Sequence, residues 1–553
     1  MIEISMNHKL AKRLILVGVL VTLIFTPWFN KDSIVIPKQF ILAITGAYFL
    51  PRIIIDIKFI INSKLGKLLI LTITLIAAQM ILVMIMSDAP LEQEIFGRSG
   101  RLLGFITYFS LLVILIAAIR LFDINNLQLI NRGISIVGII VLTYAIFQSF
   151  GIDFFKWERR TNSVISTLGN PNYTSAFAAF IALPAISYVS SKKNKLFYTV
   201  FILCLVLFTI FRSESIQGYI ALLVSISIYT LVYLWNKSKK YFTLVIGILT
   251  PGFIIVLMGT LGHGILSRFL YKASVESRGD FWRSAFHGAN ENPFFGVGLD
   301  SFGDFYLKYR DQVAADHTFA EFTDSAHNYI LDYAVQGGYP LALLNILVIV
   351  LVVFAFIQVQ KNVKVLNNSF SAIFASWIAI QSTFLISPLS IPILFWNAII
   401  SGAIIGVALK LKNPTQFSLP VNKTKSLDFR DLMSSITMVA VFLLMLPLFN
   451  VDKEFAQSLK NSDGNLGIKV VEKFPRSTTR YTTVARLLLE SGENKYALDV
   501  ARSTLNFNKN TVAAWGIIMV NPLAPYEERV TAKQEILRLD PLNKEVPVYE
   551  IPK

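Results

Sequence analysis

Residues 323–338 read TDSAHNYILDYAVQGG and set a histidine and an asparagine, His327 and Asn328, ahead of an apolar run and a glycine pair. A histidine of ordinary pKa, about 6.5, can take a proton from a hydroxyl near neutral pH, or bind phosphate if charged. Asn328 either orients that imidazole or caps the helix that follows. Four of the five histidines (His263, His287, His317 and His327) lie between residues 262 and 327, with Arg268, Arg278, Arg283 and Arg310. Guanidinium groups do not deprotonate and fork onto anionic oxygens. Any one of these residues is what a solvated loop collects, but together they offer proton transfer beside an anion site.

The elements that must position them are apolar. The chain has 553 residues, 54% hydrophobic and 16% charged, with mean hydropathy +0.58. A soluble domain of this size is nearer a quarter charged. The composition predicts an all-α polytopic membrane protein with roughly 13 spans, since each needs about 17 to 25 apolar residues. They fall at 14–29, 34–55, 68–86, 102–119, 134–150, 173–189, 196–211, 219–235, 241–261, 340–357, 370–386, 391–409 and 432–449. The stretch 34–55 is the weakest, because Lys38, Pro51 and Arg52 interrupt it. The first stretch resembles a signal peptide's opening but lacks a small-residue cleavage site, and reads as a retained helix.

A net charge of +16 would suggest nucleic acid in a soluble protein. Here the Lys and Arg residues sit in short connections, about 22 in one alternating set and about 7 in the other, which makes them topology signals. The more basic set predicts a cytoplasmic N-terminus, and an odd number of spans places the C-terminus and the long loop outside. The chain then divides into a bundle of about nine spans (1–261), an external loop (262–326), further spans (327–450) and an external helical domain (451–553). Cys204 is the single cysteine, so no disulfide framework exists.

The loop is built to fold. Phe281, Trp282, Phe286, Phe294, Phe295, Phe302, Phe305 and Tyr306 alternate with turn punctuation at Asn292-Pro293 and Gly296-Val297-Gly298. Packing against the membrane face is expected of those aromatics. The glycine pair lacks a third glycine and a strand–helix context, which excludes a dinucleotide site and leaves a tight turn.

SRGDFWRSAFHGANENPFFGVGLDSF followed by HNYILDYAVQGGYPLAL resembles the hallmark of the O-antigen ligase and polymerase superfamily. TLGNPNYTSAFAAF and FRSESIQGYIALL upstream resemble two further family patches. The resemblance spans residues 168–344 and implies a GT-C-like membrane glycosyltransferase that uses neither metal nor cofactor. It would move a glycan from an undecaprenyl diphosphate-linked donor to a lipid, glycan or protein acceptor on the outer face of the cytoplasmic membrane. Polymerisation of lipid-linked units is the alternative within the family. A lipid-linked glycan flippase or transporter is the alternative outside it, although the mid-span regions are almost uncharged and show no repeat. A metal-dependent transferase would be expected to carry paired acids in its first external loop, where this chain has only Asp32.

The resemblance also implies roles. Arg278, ahead of Trp282, would stabilise the leaving diphosphate. His327 would take the acceptor's proton, with Asp324 or Glu321 as the alternatives. Arg212, Arg283, Asn328 and Asn172 are the candidate substrate contacts. Arg212 reads equally as an interfacial anchor. Family members often carry an arginine where this chain has Ile216 or Gln217. Beyond the last span, helix ends at Pro475, Lys509 and Pro541 recur about 34 and 32 residues apart. With Gly492, Ala497, Ala501 and Leu505 at packing positions, this resembles tetratricopeptide repeats. Such a module either docks a partner or caps the loop.

Overall fold

The computed structural model describes residues 2–155, 157, 162–317, 322–362, 368–412 and 429–552. All regular elements among them are helices. Each apolar stretch read from the sequence falls on one, and nine helices among the described residues are long and apolar enough to cross a membrane. The protein is a multi-pass, all-helical membrane protein. The remaining stretches fall short for visible reasons. Phe105–Leu121 and Asn368–Phe384 have 17 residues each. Ile2–Leu23 carries Lys9, Lys12 and Arg13, and Val35–Ile60 carries Lys38, Arg52, Asp56 and Lys58.

Lys38, which weakens the second stretch, has a structural use. Its buried Nζ donates to the carbonyls of Val21, Thr22 and Ile24 at 3.2, 2.9 and 2.8 Å, so a side-chain donor satisfies the open C-terminus of Ile2–Leu23. Its neighbour Gln39 donates to Leu102 O at 3.1 Å and Thr107 Oγ1 at 3.0 Å, which pins the second helix to the connection before Phe105–Leu121. The most buried helix is Ile391–Lys412, packed between Phe105–Leu121 and Tyr329–Asn362. Lys239–Thr260 lies at the periphery, packed chiefly on Ile216–Lys237.

The connections of the less basic set meet at one end of the bundle. The backbone N–H of Gly100 donates to Asp32 at 2.8 Å, and Gln93 Nε2 donates to Ser301 Oγ at 3.0 Å. The long loop is folded, with helices Ala273–Glu291, Phe302–Tyr309 and Gln312–His317. Its aromatics divide, which corrects the expectation that all would pack on the membrane face. Phe281, Phe302, Phe305 and Tyr306 form a core of the loop's own, whereas Phe286 and Phe294 are exposed.

The C-terminal helices rest on this loop as a cap. Phe429–Lys460 continues from the last span into their core through Val451 and Phe455. Thr478–Glu490 then packs on Asn494–Phe507, and Val512–Val520 on Tyr526–Leu539. Ala497 and Ala501 are fully buried as the sequence suggests. Gly492 is not a packing position. It makes a left-handed turn with φ +78°, facing open space. Docking is polar: buried Arg310 Nη2 bonds both oxygens of Asp540 at 2.8 and 3.0 Å, and Asn508 Nδ2 donates to Asp304 at 3.0 Å.

Candidate active site

The PFFGVG turn is threaded into a kink. Tyr329–Asn362 breaks at Gly338, where φ is +76°, and a helix broken there leaves carbonyls without intrahelical donors. The turn supplies them: Val297 N donates to Val335 O at 2.8 Å and Gly298 N to Gln336 O at 3.1 Å. In return Tyr339 N donates to Pro293 O at 2.8 Å. A Cβ on Gly338 would lie 2.4 Å from the Phe294 carbonyl, and one on Gly296 would lie 2.5 Å from Val335 O. Glycine is required at both positions because two backbones touch.

The same helix presents His327. Asn328 Oδ1 accepts from the backbone N–H groups of Ile330 and Leu331 at 3.1 and 3.3 Å, so Asn328 caps the helix. Asp332, one turn inside, ties down the segment before it. Its two oxygens accept from Ser325 Oγ at 2.7 Å and Ala326 N at 2.8 Å, and Ser325 Oγ in turn accepts from His327 N at 3.0 Å. These bonds hold His327 at φ +55°, a left-handed conformation that a histidine adopts only under constraint.

His327 is partly buried, and the Phe281 ring stands edge-on to it with centroids 5.2 Å apart. Burial, then the positive charges of Arg278 and Arg101, lower its pKa to about 3, against a smaller opposing effect from Asp324. The imidazole is therefore neutral at physiological pH. Arg278 is partly buried, and its Nε has no hydrogen-bond partner among the described residues. Burial alone lowers its pKa, and it remains a cation that no carboxylate among the described residues clasps.

The other expected contacts make bonds of their own. Arg283 is clasped by Asp280 and Asp311 at 2.6 and 2.5 Å, within the loop. Arg212 donates to Ser149 O at 3.2 Å and joins two helix ends. Asn172 Oδ1 accepts from Ser215 Oγ at 2.8 Å, while its backbone carbonyl accepts from Gln217, whose other amide atom meets Ser387. That network joins two spans to the connection after Asn368–Phe384, and Gln217 is buried in it. Asp32 accepts backbone N–H bonds from Val35 and Gly100, which gives it a structural role. Glu321 lies outside the described residues.

Arg101 is the residue that sequence reasoning passed over. It lies in the loop SDAPLEQEIFGRSGR, whose few basic residues were read only as topology, although two arginines flanking Ser99-Gly100 in an acidic segment were a signal. Arg101 Nη1 donates to Asp324 O at 2.8 Å and reaches Oδ1 at 3.3 Å. A cavity of about 100 Å³ lies among the spans, lined by Tyr108, Tyr329, Tyr333, Trp377, Gln381 and Asn397. Tyr108 and Tyr333 connect it to the charged cluster, since Tyr108 lies within electrostatic range of Arg101 and Asp300.

Residues 199–346 match the family model Wzy_C, O-antigen ligase. Over that segment the chain is similar to the O-antigen ligase family. The matched segment contains Arg212, Arg278, Arg283, His327 and Asn328, whereas Arg101 and Asn172 lie before it. The family concerns transfer of lipid-linked glycans at a membrane, which agrees with a multi-pass chain. No curated protein matches the chain.

Proposed function

We propose that the protein is a metal-independent glycosyltransferase of the O-antigen ligase type, which moves a glycan from undecaprenyl diphosphate to an acceptor on the outer face of the cytoplasmic membrane. The observation that carries this reading is that Arg278, which no carboxylate among the described residues clasps, acts electrostatically on the neutral imidazole of His327. An acceptor hydroxyl attacks the anomeric carbon, and the bond from that carbon to the diphosphate oxygen breaks. The electron pair leaves with the diphosphate, stabilised by Arg278, and the hydroxyl's proton passes to the imidazole.

The donor's charge also explains why so acidic an imidazolium is useful. A diphosphate beside Arg278 offsets the field that depresses the His327 pKa, so basicity rises when donor is bound. On this reading the N-terminus is cytoplasmic, and the loop and the C-terminal cap are external. Arg283, Arg212 and Asn172 then act as scaffold, and the C-terminal domain serves first as a cap.

Purified full-length protein with lipid-linked donor tests the reading. Turnover in excess EDTA should stay near its usual rate; loss on chelation and recovery with magnesium or manganese would overturn metal independence. In a deletion strain, complete glycans stranded on the carrier support the ligase, whereas long chains lost and single units still attached at the surface assign a polymerase.

A further inference from the structure

The reaction proposed above releases a diphosphate, more charge than one guanidinium balances. Most nearby arginines are committed elsewhere: Arg283 to Asp280 and Asp311, Arg98 to Asp304 at 2.6 Å, and Arg310 to Asp540 at 2.8 Å. Arg101 differs. It is 7% exposed, yet among the described residues neither Nε nor Nη2 has a hydrogen-bond partner, and its Nε stands 3.8 Å from Asp300. Its firm bond is from Nη1 to the backbone carbonyl of Asp324, while the Asp324 carboxylate is 3.3 Å away and 36% exposed. Unmet donors on a buried guanidinium are costly, and a loosely held exposed carboxylate beside them is an anion that can be replaced.

We propose that Arg101 is a second diphosphate-binding residue, and that the Asp324 carboxylate occupies its place until a lipid-linked diphosphate arrives. This rests on the glycosyltransferase reading. The carboxylate swings to its solvent side, phosphate oxygens take up the free nitrogens, and the backbone bond holds the guanidinium in place. One anion replaces another, so the buried cation is paired throughout. Arg101 and Arg278 both contribute to the field at His327.

Binding of undecaprenyl diphosphate without sugar, to the full-length protein in lipid nanodiscs, tests this, with inorganic pyrophosphate as competitor. Arg101→Gln should weaken binding by at least about 10-fold. Asp324→Asn keeps the side-chain shape and the backbone bond but removes the competing charge, so binding should tighten several-fold. A purely structural ion pair predicts the opposite for Asp324→Asn. Equal affinity for Arg101→Gln and wild type, or weaker or unchanged binding in Asp324→Asn, overturns the proposal. If Arg101→Gln fails to accumulate, Asp324→Asn decides alone. Wild-type protein that binds no undecaprenyl diphosphate overturns the glycosyltransferase reading itself and this proposal with it.

Discussion

His327 titrates where a histidine ordinarily would not, and that gives the residue a signature. Because its pKa is lowered to about 3, the acidic limb of kcat/KM against pH should lie well below pH 6. Arg278→Gln removes one of the two depressing charges and should move that limb upward, besides lowering turnover. Arg278→Lys keeps charge but loses the fork, and should still cost on the order of 10²- to 10³-fold in rate. His327→Ala should leave undecaprenyl diphosphate binding nearly intact while turnover falls about 10²- to 10⁴-fold. If that variant is folded and turns over normally, the base is elsewhere and Asp324 is the next candidate. The same shift has a sign for stability. The unfolded chain takes up a proton near pH 6.5 that the buried imidazole refuses, so stability is lost as pH falls from about 6.5 towards about 3.

At the scale of elements, the site depends on how one helix is begun and broken. Asp332 reaches back to Ser325 and Ala326 and fixes the segment that carries His327. Asp332→Ala leaves those donors unmet. Turnover should fall by about 10-fold or more, with the protein still inserted in the membrane. Gly338→Ala sets a Cβ against the Phe294 carbonyl at a positive φ. It should cost more than about 1 kcal/mol and loosen the PFFGVG turn, seen as a lower thermal midpoint and faster proteolysis within residues 292–300. A variant as stable as wild type would show that the turn is not clamped at the kink.

For the whole molecule, the C-terminal cap and the long loop stand or fall together. Arg310 and Asp540 are both almost fully buried. Asp540→Ala removes the buried carboxylate that Arg310 bonds with Nη2 and should destabilise the docked cap by about 3 kcal/mol, lowering the thermal midpoint and exposing the 478–507 helices to protease. Orientation is checked by reporter fusions: after Lys240 cytoplasmic, within residues 300–316 and after Asp463 external. A cytoplasmic signal after Asp463 would contradict the joint placement of cap and loop, because Asn508 and Asp304 are in contact.

What the sequence alone determined follows from local or periodic physics. Apolar runs of bilayer length gave the helices, because no other structure satisfies the backbone in lipid. An Asn before an apolar run gave the cap, and a Gly pair before Pro340 gave the bend. The paired motifs around Arg278 and His327 pointed to one site, since both can be quoted from short stretches. Only the tertiary structure decided which charges are free. Arg278 and Arg283 look alike in sequence, but Asp311 clasps the second and not the first. Arg101 precedes His327 by more than two hundred residues, and nothing in local pattern joins them. Ion pairing and burial between distant segments are set by the packing of spans, so they become legible only once the helices are assembled.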